Sequence, residues 1–127
     1  MRRQFQLPAE DEEYLNSLGY GWETVREGTC PWILIHGFPV PAGYTHQTAI
    51  AAVRLLGYPP GMIDMVYFHP ELARTDGKPI GATSTMQLDG RTFQQWSRHY
   101  SWNSAEDTLA THMVRVEAWL GREFMKR

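Results

Sequence analysis

The chain has 127 residues, 12 Lys and Arg against 14 Asp and Glu, a formal charge of −2, and 43% apolar residues. A chain of this length buries roughly two-thirds of the surface that its unfolded form exposes, which supports one core without disulfides or a structural metal and excludes two independent domains. The near-neutral balance, a pI near 6.2 and Lys and Arg scattered along the sequence argue against a basic phosphate-binding face, so nucleic acid is not an expected partner.

Met1-Arg2-Arg3-Gln4 leads to Leu7-Pro8 and an acidic run, not to an apolar stretch, so no signal peptide is expected. Pro8 to Leu18 reads as a short helix: Pro8 suits a first-turn position, Glu10, Asp11, Glu12 and Glu13 sit where a helix N-terminus favours negative charge, and Gly19 ends it. Four extended segments follow, Tyr20 to Arg26, Trp32 to Val40, His46 to Leu56 and Met62 to Phe68. They are separated by Glu27-Gly28, by Pro39-Val40-Pro41-Ala42-Gly43 and by Gly57-Tyr58-Pro59-Pro60-Gly61. Connections this short give an antiparallel meander, because parallel pairing needs long crossovers.

Pro70 to Thr92 is polar, rich in Gly and Thr, and holds no sustained period, so a long irregular loop is expected there, of a length more often functional than decorative. The final helix is predicted from about Ala105 to Met125. Ser104 and Asp107 form a capping-box-like pair, and Leu109, Met113, Val116, Leu120 and Phe124 make an apolar stripe that packs on the sheet. The layout is α+β: a short N-terminal helix, a four-strand antiparallel meander, a long irregular loop and a long C-terminal helix in one domain over residues 1–127. No apolar run approaches the roughly 18 residues that a membrane span needs.

The one cysteine, Cys30, forms no internal disulfide and belongs to no Cys-x-x-Cys pair, which fits a reducing, cytoplasmic location. It reads as a small apolar residue near a turn. His36, His46, His69, His99 and His112 form no metal-ligand spacing, so no metal is expected. The five tryptophans read as core or rim packing.

Tyr58-Pro59-Pro60 opening the fourth extended segment, His69-Pro70-Glu71 after it, then a long loop and Trp102 before a capped helix resemble the ubiquitin-conjugating enzyme superfamily. Gly90-Arg91-Thr92 to Trp96-Ser97-Arg98-His99, with Trp102 and Asp107, is similar to a divergent bacterial branch, prokaryotic family E. The resemblance implies a ubiquitin-like protein and an activating enzyme as partners, a deconjugating peptidase in the same pathway, and no cofactor. It also implies that Arg2, Arg3 and the N-terminal helix meet the activating enzyme.

Two departures change the chemistry that the resemblance implies. Glu71 stands where the superfamily has the Asn of His-Pro-Asn, which removes an amide that would stabilise an oxyanion. The superfamily's cysteine lies shortly before the tryptophan that Trp102 matches, and Cys30 is far from there. Ser97 is the nucleophilic group in that stretch. A serine needs a base within hydrogen-bond reach, and His99, two residues on, faces the same side if the segment is extended. The expected intermediate is an oxyester. Thr83, Ser84 and Thr85 are further hydroxyls, although such clusters commonly satisfy loop backbone. His69 reads as a strand-end residue, and Asp107 as a cap or as a charge facing an incoming lysine. Two other readings stand beside the enzyme: an inactive scaffold of the same fold that holds the ubiquitin-like protein or the activating enzyme, and a sheet-and-helix domain with an unrelated binding role.

Overall fold

The computed structural model describes residues 1–125 and begins with the acidic helix that the sequence predicts. Helix α1 spans Ala9–Ser17, with Pro8 at its N-cap and Glu10, Asp11 and Glu12 in its first turn. Gly19 follows at φ 81°, a left-handed conformation that glycine adopts without cost. Strands β1 (Trp22–Glu27), β2 (Cys30–Pro39), β3 (Thr48–Leu56) and β4 (Met62–His69) form the expected antiparallel meander, including the alanine-rich third segment.

The sheet does not stop at four strands. Thr83–Leu88 (β5) and Arg91–Trp96 (β6) form a hairpin, β6 pairs with β4, and the order is β1-β2-β3-β4-β6-β5, antiparallel throughout. Much of the stretch expected to be irregular is therefore strand, and only the part from 70 to 82 is loop. Its turn is Asp89-Gly90, with φ 53° and 72°, the pair of positive angles that a tight two-residue hairpin requires. The pattern is weak because β5 is an edge strand whose first three residues are exposed, so no apolar alternation marks it.

Both faces of this sheet are buried. Ile33, Ile35, Val53, Ile63, Val66, Phe68 and Trp96 pack against the helices, while Trp32, Leu34, Ala52, Tyr67, Leu88 and Phe93 fill the other face. No helix covers that second face. The sheet curls over it, because the β5–β6 turn reaches β1 at the far end of the strand order. Asp89 takes a two-pronged bond from the Arg2 guanidinium, at 2.8 and 2.6 Å, and its backbone N–H donates to Glu27 at 2.6 Å. Arg2 also donates to Glu23, which accepts from His36 as well, at 2.7 Å each if the His36 Nε2 carries the proton. The N-terminal segment is held against β1 by Gln4 N–H to the Thr24 carbonyl and Thr24 N–H to the Arg2 carbonyl.

Helix α2 spans Leu109–Arg122 and starts later than the sequence suggests, since Thr108, not Ser104, is its cap. Thr108 and Thr111 exchange bonds in a capping box, and a 3-10 turn (Glu123–Met125) follows the helix. Leu109, Met113, Val116 and Leu120 are buried as the stripe predicts, whereas Phe124 is partly exposed and packs on Tyr44. Tyr58 joins three elements: its hydroxyl donates to Asp11 of α1 at 2.8 Å and accepts from the Leu109 N–H at the start of α2 at 3.2 Å.

Arg2, whose side chain is 42% exposed, thus clasps the N-terminal segment to the β5–β6 turn. Arg2→Glu sets a carboxylate against Glu23 and Asp89 and should lower stability by about 1 kcal/mol, read as a lower urea midpoint. Adding Asp89→Arg should recover part of the loss. An unchanged midpoint in Arg2→Glu would show that the clasp contributes nothing.

Candidate functional site

The chain after β4 is held in place although it has no regular structure. His69 points its Nδ1 at the Thr92 carbonyl, 2.9 Å away, so that nitrogen carries the proton, and its ring packs on Phe93. Two residues past Pro70, the Gln94 side chain clamps the backbone of Leu72: its amide N–H donates to the Leu72 carbonyl at 2.9 Å and its oxygen accepts the Leu72 N–H at 3.0 Å. Trp96 Nε1 donates to the same Gln94 oxygen at 2.9 Å. Farther along, Thr45 N–H binds the Ala73 carbonyl and Thr75 N–H the Gly43 carbonyl. Arg74 bonds to Asp76 and to the Glu123 carbonyl, and Gly81 N–H donates to the Glu123 carboxylate at 3.4 Å. A cavity of about 350 Å³ remains between this loop and β5–β6, lined among others by Glu71, Lys78, Thr83 and Gln94.

Gln94 is the positioning residue that sequence reasoning missed. It lies 4% exposed in a strand, two residues before Trp96 and so on the same face. A glutamine at a core-facing position of a strand is the signal that was available.

Ser97 is the first residue after β6, half-buried, with its N–H on the Ala82 carbonyl at 3.0 Å. Its hydroxyl oxygen accepts from the Gln95 amide at 3.4 Å, and that amide also reaches the Met65 sulfur on the second sheet face. His99 is exposed and lines a cavity of about 230 Å³ with Arg98, Trp119 and Arg122, beside α2. The strand has ended at Trp96, so the alternation that would set residues 97 and 99 on one side no longer applies. No hydrogen bond joins Ser97 to His99 among the described residues.

Trp102 packs edge-on against Tyr58 at 5.7 Å, close to Tyr100 and His112. Asp107 is 9% exposed and fully engaged: one oxygen takes the Asn103 N–H at 2.8 Å, and the other takes Thr111 at 3.0 Å and Arg115 at 2.8 Å. The Asn103 N–H, then Arg115, hold its carboxyl below the usual range. It braces the start of α2 through both oxygens. Arg3 stacks on Trp22 at 3.3 Å, bonds to the Trp22 carbonyl, and borders a cavity of about 390 Å³ with Phe5, Gln6 and Glu12 beside α1. Cys30 opens β2, partly exposed, and packs on the second sheet face.

A family model described as prokaryotic E2 family E matches residues 7–123. The chain belongs to prokaryotic E2 family E. No curated protein and no solved structure matches the chain significantly. The family match covers every helix and strand from α1 to α2, the Gln94 clamp and the whole connection from Ser97 to Asp107. It gives the protein a ubiquitin-conjugating type of domain without the usual cysteine after His-Pro.

One buried group behind the site titrates. His112 lies on α2 with no exposure, its Nε2–H donating to the Met65 carbonyl and its Nδ1 accepting from the Tyr100 hydroxyl, both at 2.8 Å. Burial, with a smaller effect of Arg115, depresses its pKa from 6.5 to about 4. The unfolded chain therefore binds a proton that the folded one refuses between those values. Stability is full above about pH 6.5 and falls as pH drops toward 4, by about 3 kcal/mol. His112→Gln should be less stable at neutral pH yet lose far less between pH 6.5 and 4, measured by thermal unfolding across that range. An identical slope in both proteins would put the acid sensitivity elsewhere.

Proposed function

We propose that this protein carries an activated ubiquitin-like protein in a bacterial conjugation pathway, as an oxyester on Ser97. Membership of the E2-type family over residues 7–123 carries the reading. Ser97 supports the finer step: it is a half-buried hydroxyl at the end of β6, at the entry to the connection that holds Trp102, in a chain whose one thiol is on β2.

The reaction balances without a cofactor. The Ser97 oxygen bonds to the carbonyl carbon of the thioester on the activating enzyme, the carbon–sulfur bond breaks, and the serine proton ends on the departing sulfur. A hydroxyl is a poor nucleophile near neutral pH, so this step needs proton transfer as the bond forms. Arg2 and Arg3, both exposed, with the adjoining face of α1, would meet the activating enzyme. The scaffold reading has its own support in the lack of a hydrogen bond between Ser97 and His99, because a carrier with no base on its hydroxyl would hold its partner without reacting.

The linkage separates the two. Incubation with activating enzyme, ATP and the ubiquitin-like protein from the same gene neighbourhood should give an adduct that survives thiol reductant, disappears in mild alkali and is absent from Ser97→Ala. Cys30→Ser should leave it unchanged. An adduct lost in Cys30→Ser and kept in Ser97→Ala would overturn the Ser97 assignment. No adduct despite tight binding to the activating enzyme would establish the scaffold.

A further inference from the structure

The smaller cavity that begins one residue beyond Ser97 has the composition of a recognition site. Its wall is Arg98, His99, Trp119 and Arg122, and its volume is about 230 Å³. Trp119 is 7% exposed and lies between Tyr100 and His112, at ring distances of 6.1 and 5.7 Å, so the apolar side of the pocket is fixed from behind.

The charges of the pocket are unequal. Arg98 is already opposed by Glu123, at 2.6 Å, stacks on Trp96 and donates to the Ser97 carbonyl at 3.1 Å. Arg122 and His99 have no hydrogen bond or ion pair with any described residue. One cation of the pocket is therefore unmatched among the described residues, with an imidazole and an indole beside it. That suits one carboxylate better than a doubly charged phosphate. The volume, below the roughly 300 Å³ at which pockets begin to hold a drug-sized molecule, suits one side chain better than a nucleotide.

We propose that this pocket receives a single Asp or Glu side chain of the ubiquitin-like protein, with Arg122 pairing its carboxylate, His99 offering a ring nitrogen and Trp119 covering its stem. The identity of the partner rests on the function proposed above, whereas the chemistry of the pocket does not. His99 is then a recognition group. Its loss acts on KM, whereas loss of a general base acts on kcat by roughly 10²–10⁴-fold.

The test measures noncovalent binding of the ubiquitin-like protein from the same gene neighbourhood to Ser97→Ala protein, which cannot form the adduct. Arg122→Glu should weaken binding about tenfold or more at low ionic strength and less at physiological salt, because the contact is half-open. Arg122→Gln should have a smaller effect, and both variants should keep the parent's thermal midpoint to within a few degrees. One Asp→Asn or Glu→Gln change in the ubiquitin-like protein should reproduce the loss and add nothing to Arg122→Glu. In the Ser97 protein, His99→Gln should raise KM with kcat unchanged. A change below twofold at low salt, no acidic residue that couples to Arg122, or no binding to the parent protein overturns the pocket. Weakened binding in Arg122→Glu without any Ser97 adduct keeps the pocket and removes the carrier role. An adduct with binding indifferent to Arg122 does the reverse.

Discussion

Closure of the sheet on itself, where Arg2 beside β1 and Glu27 on β1 meet Asp89 of the β5–β6 turn, is the constraint on which the rest of this structure rests. A six-stranded antiparallel sheet with helices on one face exposes the other, and here that face carries Trp32, Leu34, Tyr67 and Phe93, each worth about 1.5–3 kcal/mol when removed from water. Curling brings the β5–β6 turn to β1 and shuts this face. The hairpin then carries its other end, Thr83 and Trp96, to the loop after His69-Pro70-Glu71. The element that encloses the second core thereby also builds the wall of the candidate site.

On the helix side, buried polar groups do what apolar contacts cannot, since they fix irregular chain in one place. Tyr58 ties the turn before β4 to both helices, His112 holds α2 to the Met65 carbonyl, and Gln94 holds the loop at Leu72. Each has its partners nearby, and buried polar groups are tolerable only on that condition. Met65 has φ 47°, and the β3–β4 register shifts between Ala52 and Arg54, so the strand bulges where His112 reaches its carbonyl. The carboxyl of Asp11 under Tyr58 is pushed above its ordinary pKa by burial, partly offset by that hydroxyl, and Glu23 is held down to about 2, chiefly by Arg2. The two acids mark opposite situations: one is buried beside a neutral donor, the other lies at a surface clasp beside a cation.

Legibility from the sequence followed the strength of local signals. α1, the first four strands and the stripe on α2 were readable because glycine, proline and apolar spacing are local. The β5–β6 hairpin was not, although Asp89-Gly90 is a strong turn signal, because the exposed edge strand before it is polar and its β4 partners, Phe68 for Gln94 and Val66 for Trp96, lie far back in the chain. The start of α2 was misplaced because Ser104 and Thr108 both suit an N-cap, and only the fold shows that Asn103 to Asp107 is a separate turn braced by the Asp107 carboxylate. In the candidate site, Ser97 could be singled out by its place in the chain. Its neighbours could not: alternation predicts that residues 97 and 99 share a side only while the strand lasts, and the strand ends at Trp96.

With no hydrogen bond from His99, the Ser97 hydroxyl proposed as the carrier has no proton acceptor on it among the described residues. A thiolate is nucleophilic without help, so a cysteine carrier can react wherever an acyl group is brought to it, whereas a serine is inert until a proton acceptor arrives. Ser97 takes the Gln95 amide on its hydroxyl oxygen and the Arg98 guanidinium on its carbonyl, and neither donor can accept its proton. If that geometry holds when the partner docks, reactivity depends on groups the partner brings, the departing sulfur among them. On the carrier role proposed for Ser97, a hydroxyl arranged in this way would not react with stray acyl donors, and transfer would be tied to assembly of the complex.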